Sequence, residues 1–215
     1  VTPDEWCDLT NFEGNANAFR LLTHKFKGRR EGGFVLTYAT LAATVKYPWA
    51  SKTYNAKKYG FFKCEEANYE KIALELGLDN ANSEGVYVRH PLVYLVEAAD
   101  DICYQIMDVE DAHKLGILST KKTKSLMFGF FDEVHEADRI DSMKRTMDRV
   151  TDKNEQIAYL RASVIGKLIG ACSDEFMANY DLIMNGTYKG SLIKNLNGKV
   201  GEAYKTCADL ALRKI

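Results

Sequence analysis

The run from Arg89 to Asp111, Arg-His-Pro-Leu-Val-Tyr-Leu-Val-Glu-Ala-Ala-Asp-Asp-Ile-Cys-Tyr-Gln-Ile-Met-Asp-Val-Glu-Asp, constrains the fold more than any other stretch of the chain. Pro91 suits the first turn of a helix, where its missing N–H removes nothing the helix needs. At about 100° per residue, Glu97, Asp100, Tyr104, Asp108 and Asp111 fall within one quadrant, and Leu92, Leu95, Ala99, Ile102, Cys103 and Ile106 lie opposite. The spacing predicts a helix with an apolar face toward a core and an acidic face away from it. Carboxylates on adjacent turns repel one another, so water, a metal ion or basic side chains must balance them. A solvated surface is the ordinary fate of such a stripe. Tyr104, in other settings a half-buried amphipathic side chain, sits in the middle of this one.

The rest of the chain also follows helical period, and only three prolines interrupt it. Thr10-Asn11-Phe12-Glu13 reads as a capping box, opening a helix with Phe12, Ala16, Phe19 and Leu22 on one side. An Arg- and Gly-rich turn spans Gly28 to Gly33, and a short helix covers Thr37 to Val45, stopped by Pro48. Residues 49–63 have no period and predict an ordered loop. A helix from Glu65 to Leu76 ends at Gly77 in the position just past its C-cap, and Asn80 to Gly85 forms a polar turn. One or two helices cover about Thr120 to Val150. A long one runs from about Asn154 to Met184, with Ile157, Leu160, Val164, Leu168, Ala171, Cys172, Phe176 and Ile183 along one stripe. Gly186 and Gly190 break it, and an amphipathic helix from about Val200 to Leu212 follows. Together these predict an all-α fold in a single helical domain, residues 1–215.

Composition excludes several alternatives. A net charge of −1 gives no global pull toward nucleic acid or membrane, so any basic site must be local. Single-stranded nucleic acid stays open as a partner without support from charge. The five cysteines, Cys7, Cys64, Cys103, Cys172 and Cys207, are widely spaced and contain no Cys-x-x-Cys pair. That pattern suits reduced thiols in a cytoplasmic protein. No apolar run approaches the ~18 residues of a membrane span, so no membrane partner is expected. Asn197-Gly198-Lys199-Val200-Gly201 lacks the Gly-Lys-Ser/Thr ending of a P-loop. The chain opens Val1-Thr2-Pro3 without an initiator methionine, which leaves processing and a missing N-terminal part both open.

Four strings, in order along residues 10–115, resemble the HD-domain deoxynucleotide triphosphohydrolases, the bacterial dGTPase group. Phe12-Glu13-Gly14-Asn15-Ala16 is similar to that family's Phe-Glu-Gly-Asn-Ala-Gln, with Asn17 where the Gln is usual. Leu36-Thr37-Tyr38-Ala39-Thr40-Leu41-Ala42-Ala43 with Lys46-Tyr47-Pro48-Trp49 resembles its next helix and exit. Lys58-Tyr59-Gly60-Phe61-Phe62 resembles its Lys-Phe/Tyr-Gly-Phe loop, and Arg89 to Asp111 its Asp-bearing helix. Beyond residue 116 only Leu160-Arg161-Ala162 adds to the likeness.

The resemblance implies hydrolysis of a dNTP, dGTP foremost, to a deoxynucleoside and inorganic triphosphate, with a divalent metal such as Mg or Mn as cofactor. It implies Asp100 as a metal ligand, since the family's ligand lies four residues before a Tyr and eight before a second Asp. Tyr104 would then stack on the deoxyribose and Asp108 would bond its hydroxyl. Lys46 and Lys58 would grip the triphosphate, with Tyr47 near the base or phosphates. It also implies a homo-oligomer. The family's other ligands, a His and a His-Asp pair, precede the Phe-Glu-Gly-Asn string, and so do its water-activating His and Glu. Here none of His24, His90, His113 and His135 is followed by Asp. The catalytic residues are therefore expected upstream of Val1, on an N-terminal segment that would act as a partner, and the fragment alone is expected to be inactive. His90 is expected to be structural, Glu13 a helix cap, and Trp49, Phe61 and Phe62 core residues. Two rivals remain: a non-enzymatic nucleotide-binding or oligomer-forming fragment, and a helical protein-interaction module that docks a basic partner.

Overall fold

Side-chain caps open several helices in the computed structural model, which describes residues 1–28, 31–51, 53, 58–78 and 85–214. Among the described residues there is no strand, only the isolated bridges Trp49 to Val86 and Ala50 to Phe61, so the fold is all-α. The polar turn expected over 80–84 lies outside the described residues. Among the described residues no helix is long and apolar enough to cross a membrane. The chain divides into two compact units, Val1–Val96 with Asp181–Tyr188, and Glu97–Tyr180 with Lys189–Ile215.

The first unit opens with α1 (Pro3–Thr10), whose capping box is Thr2 with Glu5 and whose Pro3 sits in the first turn. The box expected at Thr10 is not formed. Thr10 closes α1, its hydroxyl donating to the Trp6 carbonyl at 2.7 Å. Helix α2 (Gly14–Thr23) is capped instead by Glu13, which accepts from the Asn15 N–H at 2.5 Å, as its expected role as a cap requires. Phe12, outside the helix, is exposed, whereas Ala16 and Phe19 are buried. Helix α3 (Tyr38–Thr44) starts from Thr37 as N-cap. A 3-10 turn, Lys63–Glu65, leads into α4 (Glu66–Glu75), and Gly77 follows at φ 65° as the sequence indicated. The core stacks Phe61 on Tyr69 at 4.6 Å between ring centroids, with Phe19 edge-on to Tyr69 at 5.7 Å. Leu41, Val45 and Ile72 close around these rings. Buried Asp8 ties α1 down, accepting from the Ser51 hydroxyl at 2.6 Å and the Lys63 N–H at 2.8 Å.

Helix α5 (Pro91–Lys114) contributes its first residues to the first unit and the remainder to the second. The second unit continues with α6 (Thr120–Phe128), α7 (Ala137–Asp148) and α8 (Lys153–Ala178). The long helix expected to reach Met184 ends at Ala178 with Asn179 as its C-cap, and α9 (Tyr180–Met184), whose residues from Asp181 on belong to the first unit, follows. Short α10 (Leu192–Asn195) and α11 (Gly198–Lys214) complete the order. Ile157, Leu160, Val164, Leu168 and Cys172 are buried along α8, the stripe its period predicted. Helices α6, α7 and α10 pack on α8. Full burial of each such side chain is worth about 1.5–3 kcal/mol. Replacing Leu160 by Ala would open a void on this central stripe.

The rotation of α5 differs from the expected one. Val93, Tyr94, Glu97, Ala98, Ile102, Ile106, Val109, Glu110 and Ala112 are buried, while Leu92, Leu95, Ala99 and Cys103 are exposed. Apolar residues occupy nearly two sides of this helix, and Val93, Tyr94, Ala98, Val109 and Ala112 pull the buried centre away from Leu92, Leu95 and Cys103. Glu97, placed by the helical wheel on the open acidic face, is 8 % exposed.

Candidate functional site

Two clusters hold the residues singled out by the sequence. The first is built on the turn after α3. A tight turn follows Tyr47, in which the Trp49 N–H donates to the Tyr47 carbonyl at 2.7 Å. The chain returns along it: the Gly60 N–H donates to the Trp49 carbonyl at 3.0 Å, and the Trp49 indole N–H to the Lys58 carbonyl at 2.9 Å. Gly60 is required for this approach, because a Cβ there would stand 2.2 Å from the Tyr47 carbonyl oxygen. The result brings Lys46 and Lys58 together on one ring: their Nζ atoms lie 5.7 and 5.8 Å from the Tyr47 ring centroid. Lys58 is exposed, and Lys46 and Tyr47 are half-buried. Phe61 and Phe62 are core residues, as expected, and Trp49 is partly buried against Ala16, Tyr59 and Phe62.

The second cluster is the outward face of α5. Asp100, Tyr104 and Asp108 succeed one another at intervals of four on the helix, which stacks them on one side. Asp100 is exposed, Tyr104 is 69 % exposed and Asp108 is half-buried. Asp101, the next residue along, turns inward. It is half-buried, its carbonyl accepts from the Tyr204 hydroxyl at 3.4 Å, and its charge adds to the burial that raises the Cys172 thiol to about 11. The two neighbouring aspartates are thus separated by environment, and Asp100 is the one open to a ligand.

In the second unit the inward face of α5 carries an ion pair between buried Glu110 and half-buried Arg161. Glu110, 3 % exposed, accepts from Arg161 Nη1 of α8 at 2.5 Å, and Lys114 Nζ lies 3.2 Å from its other oxygen. In the first unit His90 is structural as expected: its Nδ1 accepts from the Leu92 N–H at 3.2 Å, and burial lowers its pKa.

Asp100 fits a metal as one carboxylate donor. Among the described residues no group of three His, Cys, Asp or Glu converges to hold an ion, and one carboxylate does not fix a coordination geometry.

The Asp, Tyr and Asp on successive turns of α5, and the Lys-Tyr turn facing a second Lys, lie in the strings that resemble the dNTP triphosphohydrolases. No family model matches the chain. Curated relatives do: over 216 residues it is 32% identical to a deoxyguanosinetriphosphate triphosphohydrolase-like protein of Pseudomonas aeruginosa, covering 98% of this chain and 47% of the relative. A protein of the same description from Listeria monocytogenes is 35% identical over 90% of the chain and 42% of its own length. The deoxyguanosinetriphosphate triphosphohydrolase of Yersinia enterocolitica is 31% identical over 87% of the chain and 38% of its own length. The chain belongs to the dGTP triphosphohydrolase family and spans less than half the length of these relatives.

Proposed function

We propose that this chain is part of a metal-dependent hydrolase that converts a deoxynucleoside triphosphate, dGTP foremost, to the deoxynucleoside and inorganic triphosphate. The observation that carries the reading is the similarity along 98% of the chain to a protein named as deoxyguanosinetriphosphate triphosphohydrolase-like, and along 87% to one named as the triphosphohydrolase, in a sequence that has Asp100, Tyr104 and Asp108 at intervals of four. In this reaction water adds to the α-phosphorus and the bond from that phosphorus to O5′ breaks. The proton ends on O5′ and the new oxygen stays with the triphosphate.

The residues of this chain have separate tasks. Lys46 and Lys58 neutralise the triphosphate and offset the charge that grows on it in the transition state, and Tyr47 lies by the base or phosphates. The Tyr104 ring lies under the deoxyribose and leaves little room for a 2′-hydroxyl, and Asp108 accepts a hydrogen bond from the sugar hydroxyl. Asp100 supplies one ligand to a divalent metal, Mg or Mn, whose charge polarises the α-phosphate when bound. The other ligands and the groups that activate water belong to polypeptide outside this chain, so the isolated chain is inactive. The five free cysteines support a cytoplasmic setting, and the enzyme works as a homo-oligomer.

The test uses the full-length enzyme that contains this chain. Asp100→Ala removes bound metal and nearly all turnover, and Tyr104→Ala keeps the metal but loses selectivity for deoxy- over ribonucleotides. Asp101→Ala is the control, keeping metal in place. Metal lost with Asp101→Ala and retained with Asp100→Ala would put the ligand on the wrong residue. Full turnover in all three variants would sink the proposal and favour a non-enzymatic role.

A further inference from the structure

The first unit contains a cavity of about 600 Å³ between the end of α2, the loop that follows it, and α3 with α4. None of the residues given a substrate role above lines it. We propose that it binds a phosphorylated small molecule with a flat apolar body, of about mononucleotide size.

Three cations stand around this cavity: Arg20, Lys25 and Lys71. Arg20 is held in place by Glu65, which is 5 % exposed, and by a contact of 3.4 Å from Nη1 to Cys64 Sγ. Both interactions use Nη1. Among the described residues Nε and Nη2 have no partner, so a pre-oriented guanidinium keeps the donors that suit a phosphate. Lys71 has no ion-pair partner among the described residues. Lys25 pairs at 2.7 Å with Glu31, whose side chain is 86 % exposed, and an exposed pair of this kind is held weakly. An anion with two charges can therefore replace Glu31 at Lys25.

The rest of the lining suits the remainder of such a ligand. Leu36, Leu41 and Ile72 give apolar surface, Tyr38 an aromatic ring and Asn68 an amide able to donate and accept. The volume lies within the range of small-molecule sites. Next to the lining residues Gly32 and Val35 the chain packs on the end of α2: the Phe34 N–H donates to the Leu22 carbonyl at 3.0 Å, and a Cβ on Gly33 would lie 2.4 Å from that carbonyl oxygen. Val35, which also lines the cavity, has φ 56°, a conformation that a β-branched residue adopts rarely and at a cost.

The experiment titrates the full-length enzyme that contains this chain with pyrophosphate and with AMP, by calorimetry and by amide chemical shifts. Because it reads binding and not turnover, its outcome is separate from that of the proposed hydrolysis. Both probes should bind, AMP more tightly, with shifts at Arg20, Asn68 and Lys71. Lys71→Glu, an exposed change that leaves the core intact, should weaken both by about tenfold or more. Arg20→Lys, which keeps a charge beside Glu65, should weaken them as well. No binding of either probe at ~10 mM, or affinity unchanged by Lys71→Glu, overturns the proposal. Shifts centred on Lys46 and Lys58 do the same, by placing the anion elsewhere. Pyrophosphate binding as tightly as AMP overturns the flat apolar body.

Discussion

Removing Arg161 should cost the second unit more than any exposed charge on the same helix. In Arg161→Met the aliphatic stem still packs, but the guanidinium that donates to Glu110 at 2.5 Å is gone. Glu110 is 3 % exposed. A buried carboxylate left without its partner costs about 3–5 kcal/mol. Lys114 still approaches the other oxygen at 3.2 Å from a half-exposed position, which brings the expected loss down to about 2–3 kcal/mol. At about 2–4 °C per kcal/mol for a chain of this size, the melting temperature should fall by about 4–12 °C, and urea unfolding should shift with little change in slope. The double variant Arg161→Met, Glu110→Leu removes both charges and should recover to within about 1 kcal/mol of wild type. Circular dichroism melts of the three proteins check this. If the single variant loses less than about 0.5 kcal/mol and the double variant loses more, Glu110 and Arg161 do not form the ion pair on the inward face of α5.

Two further predictions concern the first unit. Gly60→Ala must displace the Tyr47 carbonyl or the Val45 side chain, which a Cβ would meet at 2.2 and 2.5 Å; it should cost about 1–3 kcal/mol in a urea titration and separate Lys58 from Tyr47. His90 should make stability depend on pH: burial lowers its folded pKa below 6.5, so its neutral form is preferred and its contribution is complete above that value. The contribution is lost as pH falls from 6.5 toward the folded pKa, and the stability of wild type should drop more steeply than that of His90→Gln across that window.

Helix positions were legible where the end signals are unique. Thr37 before α3, Gly77 after α4 and Pro91 at the start of α5 each act as the sequence suggested. The pattern Thr-x-x-Glu occurs twice near the start, at Thr2 and at Thr10, and only the first is a capping box. Local sequence does not distinguish them, because Glu13 serves its own helix as N-cap. The rotation of α5 was not legible from period alone, since a helix with apolar residues on two sides has two plausible inward faces. Glu97 falls on the acidic face in the sequence and is buried in the structure, as is Glu110.

The candidate site divides in the same way. Asp100, Tyr104 and Asp108 share a face because helical geometry makes residues four apart neighbours. Lys46 and Lys58 meet at Tyr47 only because the chain reverses, through the Trp49 to Lys58 and Gly60 to Trp49 hydrogen bonds. The cavity beside Arg20 gave no signal of its own. Its partners Arg20, Glu65 and Lys71 lie on α2, the 3-10 turn and α4, and no spacing rule joins residues that only tertiary packing brings together.

The last prediction separates what Asp100 does for folding from what it does for chemistry. Its carboxylate is exposed and makes no hydrogen bond or ion pair among the described residues, so it neither relieves a buried charge nor fills core volume. Substitutions of that kind stay within about 0.5 kcal/mol. Removing it should even relieve a little of the repulsion along the acidic helix. Asp100→Ala in the 215-residue chain should therefore melt with the wild type, while the same change in the full-length enzyme removes turnover. Asp101→Ala should do the opposite, because Asp101 is turned inward beside Tyr204 and Cys172: a lower melting temperature in the isolated chain, with metal retained in the enzyme. A large loss of stability from Asp100→Ala would mean that the residue is part of the packing, and would remove the reason for assigning the open carboxylate on α5 to a ligand.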